Sequence, residues 1–401
     1  MTEHGGWPIG FTGYTGRGGM RADGDDISIV VSDRPTTSAA MFTRSRFAAP
    51  SVRLSRRHTA ARRFRAVVTL AQNANVATGR RGEENTAEVV RRTAALLGVA
   101  EEEVLIGATG VIGRPLPMET IRAHFDALPA PAPAGGAAGA AGGVGGRFTA
   151  DPEAVARAMM TTDTRPKTHT RTVGPARITA VAKGVGMLEP NMATMLAYLF
   201  TDAAVEPEEL DRALRAAVDR SFNCLSVDTD TSTSDTVAVL ANGAAGPVDP
   251  GEFAAALADV CLDLTLQMAR DGEGATKLLT VSVDGARDGA QARRVAKAVV
   301  NSPLVKTAVH GADPNWGRVL MAVGKNTEET DIDPERVVVR FGDLPVYPEE
   351  PEGTLLEEVT ALLRRDEVTI RVSLGIADGA ATVYGCDLSA GYVRVNADYT
   401  S

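Results

Sequence analysis

The segment 183–202, KGVGMLEPNMATMLAYLFTD, sets one threonine, Thr194, inside an apolar stretch behind a lysine, two glycines and a proline. By composition this is a Gly turn feeding a buried helix that starts near Pro190. It also fits a latent N-terminal nucleophile. A hydroxyl inside a chain can attack the carbonyl before it, and the ester so formed hydrolyses. A chain that then begins at Thr194 carries an α-amine beside the hydroxyl, and that amine can act as its general base. An unperturbed α-amine pKa of about 7.7–8.0 suits work at neutral pH. Composition leaves both readings standing.

Other chemistry is thin. No two of His4, His58, His124, His169 and His310 lie at metal-ligand spacing. The run DTDTSTSDT at 228–236 places Asp228, Asp230 and Ser232 at the first, third and fifth positions of a calcium loop. Thr233 then stands where glycine is needed and Val239 where glutamate is needed, so the run reads as a turn held by side-chain-to-backbone hydrogen bonds. Cys224, Cys261 and Cys386 are odd in number and far apart, which predicts buried free thiols and fits a reducing cytoplasm. There is no serine elbow.

A set of motifs spread along the chain narrows the choice. KGVGMLEPNMATML at 183–196 closely resembles the cleavage segment of the ornithine acetyltransferase (glutamate N-acetyltransferase) family. QNANVATG at 72–79 is similar to that family's Asn-rich segment, and GATGVIGRPLPME at 107–119 to its oxyanion segment. MMTTDTRPK (159–167), DTSTSDT (230–236), ARDGEGATK (269–277), NSPLVKTAVHGADPNWGR (301–318) and YVRVNADYTS (392–401) resemble further family segments in the same order. The resemblance therefore covers nearly the whole chain.

The resemblance implies self-cleavage between Ala193 and Thr194, with Thr194 as the nucleophile that is then acylated. It implies an oxyanion hole at Thr109 and Gly110, and a substrate site lined by Thr161, Lys183, Thr194, Glu273, Asn396 and Ser401. The implied reaction is ping-pong. N2-acetylornithine acetylates Thr194, ornithine leaves, and glutamate takes the acetyl group, with no metal or organic cofactor. A lysine facing the substrate carboxylate and a glutamate facing a side-chain cation make electrostatic sense. The implied fold is an αββα sandwich of the N-terminal-nucleophile type with a second, smaller α/β lobe over roughly 285–401. The cleaved chains, 1–193 and 194–401, would fold together as (αβ)₂ or higher. One departure concerns substrate. Thr229 and Ser234 stand where members devoted to arginine synthesis often have Gly and Asn. Here and in the run MLEPN (187–191) the chain is more similar to the paralogue encoded with clavulanate biosynthesis. Three alternatives follow: an N-acyltransferase of antibiotic synthesis, a self-cleaving aminopeptidase that hands its acyl group to water, and a degenerate scaffold. An intact Thr194, Thr109, Gly110 and Lys183 argue against the last.

The elements that must position these residues are mixed α and β. Residues 27–32, 64–71 and 104–110 read as strands, and 84–97 as a helix ending at Gly98. Helical patterns also fall at 118–127, 207–220, 253–270, 290–300 and 354–365, and Asp151-Pro152 starts another helix. Strand patterns fall at 335–341, 367–374, 380–386 and 391–396. Residues 129–146 hold only Pro, Ala, Gly and one Val, which predicts a flexible surface linker without the Lys-Ser/Thr of a phosphate loop. A length of 401 residues favours two lobes. A net charge of −9 with 4% aromatics argues against nucleic acid. No apolar run is long enough for a membrane span, and the N-terminus lacks the basic-then-apolar pattern of a secretory signal.

Overall fold

The computed structural model describes residues 6–128, 148–189, 195–349 and 351–398. The 129–146 linker, Ala193, Thr194 and Ser401 lie outside the described residues. The first part of the chain forms β1 (Phe11–Gly16), β2 (Ile27–Ser32), β3 (Thr37–Phe42), α1 (Pro50–His58), β4 (Ala66–Leu70), α2 (Gly79–Leu97), β5 (Val104–Ala108) and α3 (Met118–Asp126). Next come α4 (Pro152–Met159), β6 (Lys167–Val173), β7 (Ala176–Lys183), β8 (Leu196–Ala204), α5 (Pro207–Arg220), β9 (Thr236–Pro247) and α6 (Pro250–Arg270). The last part forms β10 (Leu278–Ala286), α7 (Gly289–Val300), α8 (Pro303–Gly311), α9 (Trp316–Gly324), β11 (Val338–Phe341), β12 (Leu344–Tyr347), α10 (Leu355–Leu363), β13 (Glu367–Ser373), β14 (Gly379–Cys386) and α11 (Ala390–Asp398).

The first two sheets, ordered β1-β2-β4-β5 and β3-β9-β8-β7-β6, stack face to face. Period-two alternation decides which residues meet. On β8, Leu196, Tyr198 and Phe200 point between the sheets, toward Phe11, Val30, Val67 and Leu105. Ala197 and Leu199 point the other way, into a core with Leu214 of α5 and Leu257 and Leu264 of α6. The outer face of the first sheet is covered by α2 and α3 through Val89, Val90 and Ile121. Four layers result, helix–sheet–sheet–helix, which is the αββα sandwich expected. A third sheet, ordered β12-β11-β13-β10-β14, carries its own core with α7, α8 and α9. Cys224, Cys261 and Cys386 are buried free thiols, as expected. Among the described residues no helix is long and apolar enough to cross a membrane.

Two local expectations change. The apolar stretch after Thr194 is not a helix: Leu196–Ala204 is β8, the central strand of the second sheet. Both faces of that strand are buried, so it shows no polar alternation and its periodicity is uninformative. The pattern at 391–396 is not a strand, because Tyr392, Val393 and Asn396 lie in α11. There two valines cost a nine-residue helix little. The Asn396 side chain bonds the Tyr392 carbonyl one turn back, at 3.1 Å.

Phe200 tests the inter-sheet core. It is fully buried, with Trp7 edge-on and Phe11 tilted, each ring 5.3 Å away. Phe200→Ala should lower stability by about 3–5 kcal/mol, read as a lower urea midpoint with an unchanged slope. An unaltered midpoint would show that the two sheets do not depend on this contact.

Candidate active site

Strand ends from both sandwich sheets converge on a cavity of about 380 Å³. Its wall contains six of the residues expected from sequence: Thr109, Gly110, Thr161, Lys183, Glu273 and Asn396. Met195, which follows Thr194 in the chain, also lines it. Met195 is held in place by its neighbours. Its carbonyl accepts from Thr236 N at 2.9 Å, and the next residue, Leu196, pairs with Lys183 of β7.

Thr109 and Gly110 leave the end of β5. The parallel β4–β5 register runs on past the strands, so Thr109 N donates to Leu70 O at 3.0 Å and Val111 N to Gln72 O at 3.1 Å. Gly110 N has no acceptor among the described residues. Gly110 has φ 125°, and a Cβ there would collide with the Gln72 backbone. Only glycine fits so close an approach. The Asn-rich segment opposite is itself strained, with Gln72, Asn75 and Ala77 all at positive φ. Asn75 is stitched down by bonds from its amide to Gly82 O and Thr86 Oγ1, at 2.9 and 3.1 Å.

On the facing wall, the buried Lys183 ends β7. Its ammonium lies 3.4 Å from Thr109 Oγ1 and 3.9 Å from the Asp163 carboxylate. Asp163 also accepts from Lys167 Nζ at 2.8 Å, Gly184 N at 2.9 Å and Thr161 N at 3.0 Å. Lys167 goes on to Asp271 at 2.6 Å. Burial alone would push the Asp163 carboxyl up, but the Lys183 and Lys167 ammonium groups outweigh it and hold the carboxyl at about 2. Burial lowers the Lys183 ammonium below its ordinary value, with Asp163, Glu273 and Asp235 opposing and Lys167 adding to the shift. Glu273 accepts from Thr162 Oγ1 at 2.7 Å and from Asn396 Nδ2 at 2.8 Å. Its carboxylate rests over Gly186, where a side chain would clash.

The cavity joins a cationic group, two carboxylates and a hydroxyl beside a glycine N–H. Such a site can receive a zwitterionic amino acid and stabilise a developing oxyanion. Sequence reading missed Asp163, Lys167, Asp271, Asp235 and Thr162. Asp163 and Lys167 were in plain view in MMTTDTRPK, but spacing alone does not show that both side chains turn inward. The 228–236 run behaves as a side-chain-capped turn: Asp228 accepts from Met187 N at 2.6 Å and Leu188 N at 2.8 Å, and Ser232 Oγ from Ser234 N at 3.1 Å. The two departures noted there have structural consequences. Thr229 holds φ 71°, a backbone glycine adopts freely, and Ser234 lines the cavity.

The depressed Asp163 carboxyl ties stability to pH. Its folded value lies below its ordinary 3.8, so its contribution is present above 3.8 and is lost as pH falls toward about 2. Urea midpoints of the wild type and Asp163→Asn should therefore converge over that window. A gap that stays constant would assign the acid sensitivity to other carboxylates.

Comparison with known proteins gives a consistent picture. The ArgJ family model matches residues 14–401. The chain is 54% identical over 400 residues to glutamate N-acetyltransferase Oat2 of Streptomyces clavuligerus, covering 98% of each. It is 49% identical over 397 residues to the arginine biosynthesis bifunctional protein ArgJ of Rhodococcoides fascians, covering 98% of this chain and 94% of that one. A solved structure of argJ from Bacillus halodurans is 43% identical with TM-score 0.47, covering 49% of this chain and 96% of that chain.

Proposed function

This chain belongs to the ArgJ family, and on that premise we propose that it is a glutamate N-acetyltransferase working by acyl transfer through Thr194. One observation carries the reading. Six dispersed residues, Thr109, Gly110, Thr161, Lys183, Glu273 and Asn396, meet in a cavity whose wall continues directly into Met195, next to Thr194.

The chemistry runs in two phases. In maturation the Thr194 hydroxyl attacks the Ala193 carbonyl carbon, and the peptide becomes an ester as the Thr194 nitrogen leaves as an amine. Water then hydrolyses the ester, releasing residues 1–193 with a new carboxylate. In turnover the freed α-amine takes the proton from the Thr194 hydroxyl as that oxygen attacks the acetyl carbonyl of N2-acetylornithine. The tetrahedral oxyanion is met by the Thr109 hydroxyl and the Gly110 N–H. The ornithine α-nitrogen leaves with a proton, and the glutamate amine attacks acetyl-Thr194 by the reverse path. Lys183 suits the substrate carboxylate, and Glu273 suits a side-chain ammonium. Ser401 at the chain end completes the substrate contacts. The two chains stay folded together as (αβ)₂ or higher, in the cytoplasm.

A second reading keeps this chemistry and changes the partners. Ser234 lines the cavity wall, and its hydroxymethyl side chain is shorter than the Asn that members devoted to arginine synthesis often have there. A donor and acceptor panel for specialised metabolism separates the two readings, with the highest kcat/KM pair identifying the natural one.

Purified protein should run as two fragments under denaturing conditions, one beginning Thr-Met-Leu-Ala, and Thr194→Ala should remain a single chain. Efficient cleavage of that variant would rule out Thr194. With N2-acetylornithine and no acceptor, intact mass should rise by one acetyl group on the 194–401 fragment alone.

Thr109→Ala removes one oxyanion donor and should slow both maturation and transfer by about a hundred- to a thousand-fold, or about 2.7–4 kcal/mol. Unchanged rates would make Thr109 a structural residue.

A further inference from the structure

Thr109 Oγ1 has one side-chain partner among the described residues, the Lys183 ammonium at 3.4 Å. An ammonium only donates, so on that side Thr109 Oγ1 accepts. Its own O–H must then point elsewhere. No acceptor among the described residues takes that proton, and Thr109 lines the cavity. A hydroxyl in this state presents its hydrogen, not its lone pairs, to a negative charge forming in the cavity. With the ammonium removed, the hydroxyl could rotate and turn a lone pair toward that charge, which would oppose the reaction.

The position of Lys183 is therefore decisive, and a lysine on a four-carbon stem does not hold one position unaided. Its ammonium has one carboxylate within ion-pair distance among the described residues, Asp163 at 3.9 Å. Asp163 is well fixed for the task. Its side chain is fully buried, and three bonds from Lys167, Gly184 N and Thr161 N pin both oxygens. Lys167 is fully buried too and is anchored on its far side by Asp271. The result is an alternating chain of charges, Asp271–Lys167–Asp163–Lys183, that ends on the Thr109 hydroxyl. Its last two links are the longest, 3.9 Å from Asp163 to Lys183 and 3.4 Å from Lys183 to Thr109.

We infer that Asp163 is a positioning residue that acts through Lys183 to aim the Thr109 hydroxyl proton at the developing oxyanion. The inference rests on the proposed function only in taking Thr109 as an oxyanion donor. Asp163 stands behind the cavity wall and is not among its lining residues. Its effect should appear in kcat and depend on Thr109 being present. A merely structural role would instead lower stability and kcat by the same factor whatever stands at residue 109.

A double-mutant cycle on acetyl transfer from N2-acetylornithine to glutamate tests this, using cleaved protein. Asp163→Asn should lower kcat at saturating substrates by about tenfold or more, yet by less than about twofold in the Thr109→Ala background, as expected for coupled residues; a rise in KM through the Lys183–carboxylate contact is expected in both backgrounds. Independent, additive losses overturn the inference. Should Asp163→Asn fail to fold, the same cycle between Lys183→Met and Thr109→Ala, read in kcat at saturating substrates so that the Lys183–carboxylate contact drops out, reads the final link, and additivity there overturns it equally. A crystal structure of whichever variant folds decides the matter without activity. In Asp163→Asn, Lys183 Nζ should leave hydrogen-bond distance of Thr109 Oγ1. In Lys183→Met, the Thr109 side chain should turn to another rotamer or take a new partner. An unmoved Lys183 or Thr109 overturns the inference. If the wild type transfers no acetyl group between these substrates, the proposed function fails, while the variant structure still settles the positioning.

Discussion

The site depends on one buried carboxylate. Asp163 collects two lysine ammonium groups and two backbone N–H groups from three stretches of chain. Thr161 lies upstream of it, Lys183 and Gly184 end β7, and Lys167 starts β6. A buried ion is costly unless it is fully bonded, so the cluster tolerates little rearrangement. Its partners are thereby held in a single arrangement. That is useful where a hydroxyl and an N–H must face a charge that exists only briefly.

Around this cluster the sandwich supplies rigidity, and the segment after α6 together with α11 supplies the far wall. β5 and β7 lie in different sheets, and the Phe200–Tyr198–Leu105 core holds those sheets at a fixed spacing. The far wall comes from beyond α6. Asp271 and Glu273 follow that helix directly, and Glu273 N donates to Val185 O at 2.9 Å. The α11 helix then returns across Gly274, whose φ of 69° and missing side chain let the Tyr392 backbone pass close by. Asn396 can reach Glu273 only because of that crossing.

Selectivity and chemistry draw on different parts of the wall. Thr109, Gly110 and Lys183 sit on strand ends, where backbone pairing leaves little freedom. The 228–236 turn is a loop, stabilised by its own Asp and Ser side chains and able to vary without disturbing a sheet. Ser234 and the strained Thr229 both lie in that turn.

Much of this was legible in the sequence. The motif order identified the family and six cavity residues, and long amphipathic segments such as 207–220 and 253–270 announced their helices. Buried thiols, the Gly98 helix end and the capped 228–236 turn followed from residue chemistry alone. The segment after Thr194 was not legible, because a strand buried on both faces has no alternation to separate it from a buried helix. The Tyr392–Val395 run misled because β-branched composition favours a strand, while two valines cost a nine-residue helix little and α11 forms without burying any of its residues. The Asp163–Lys167–Asp271 chain was hidden for a simpler reason. Sequence states which residues carry charge, but only the meeting of β6, β7 and the turn after α6 decides that these charges face inward, out of water, where they must pair.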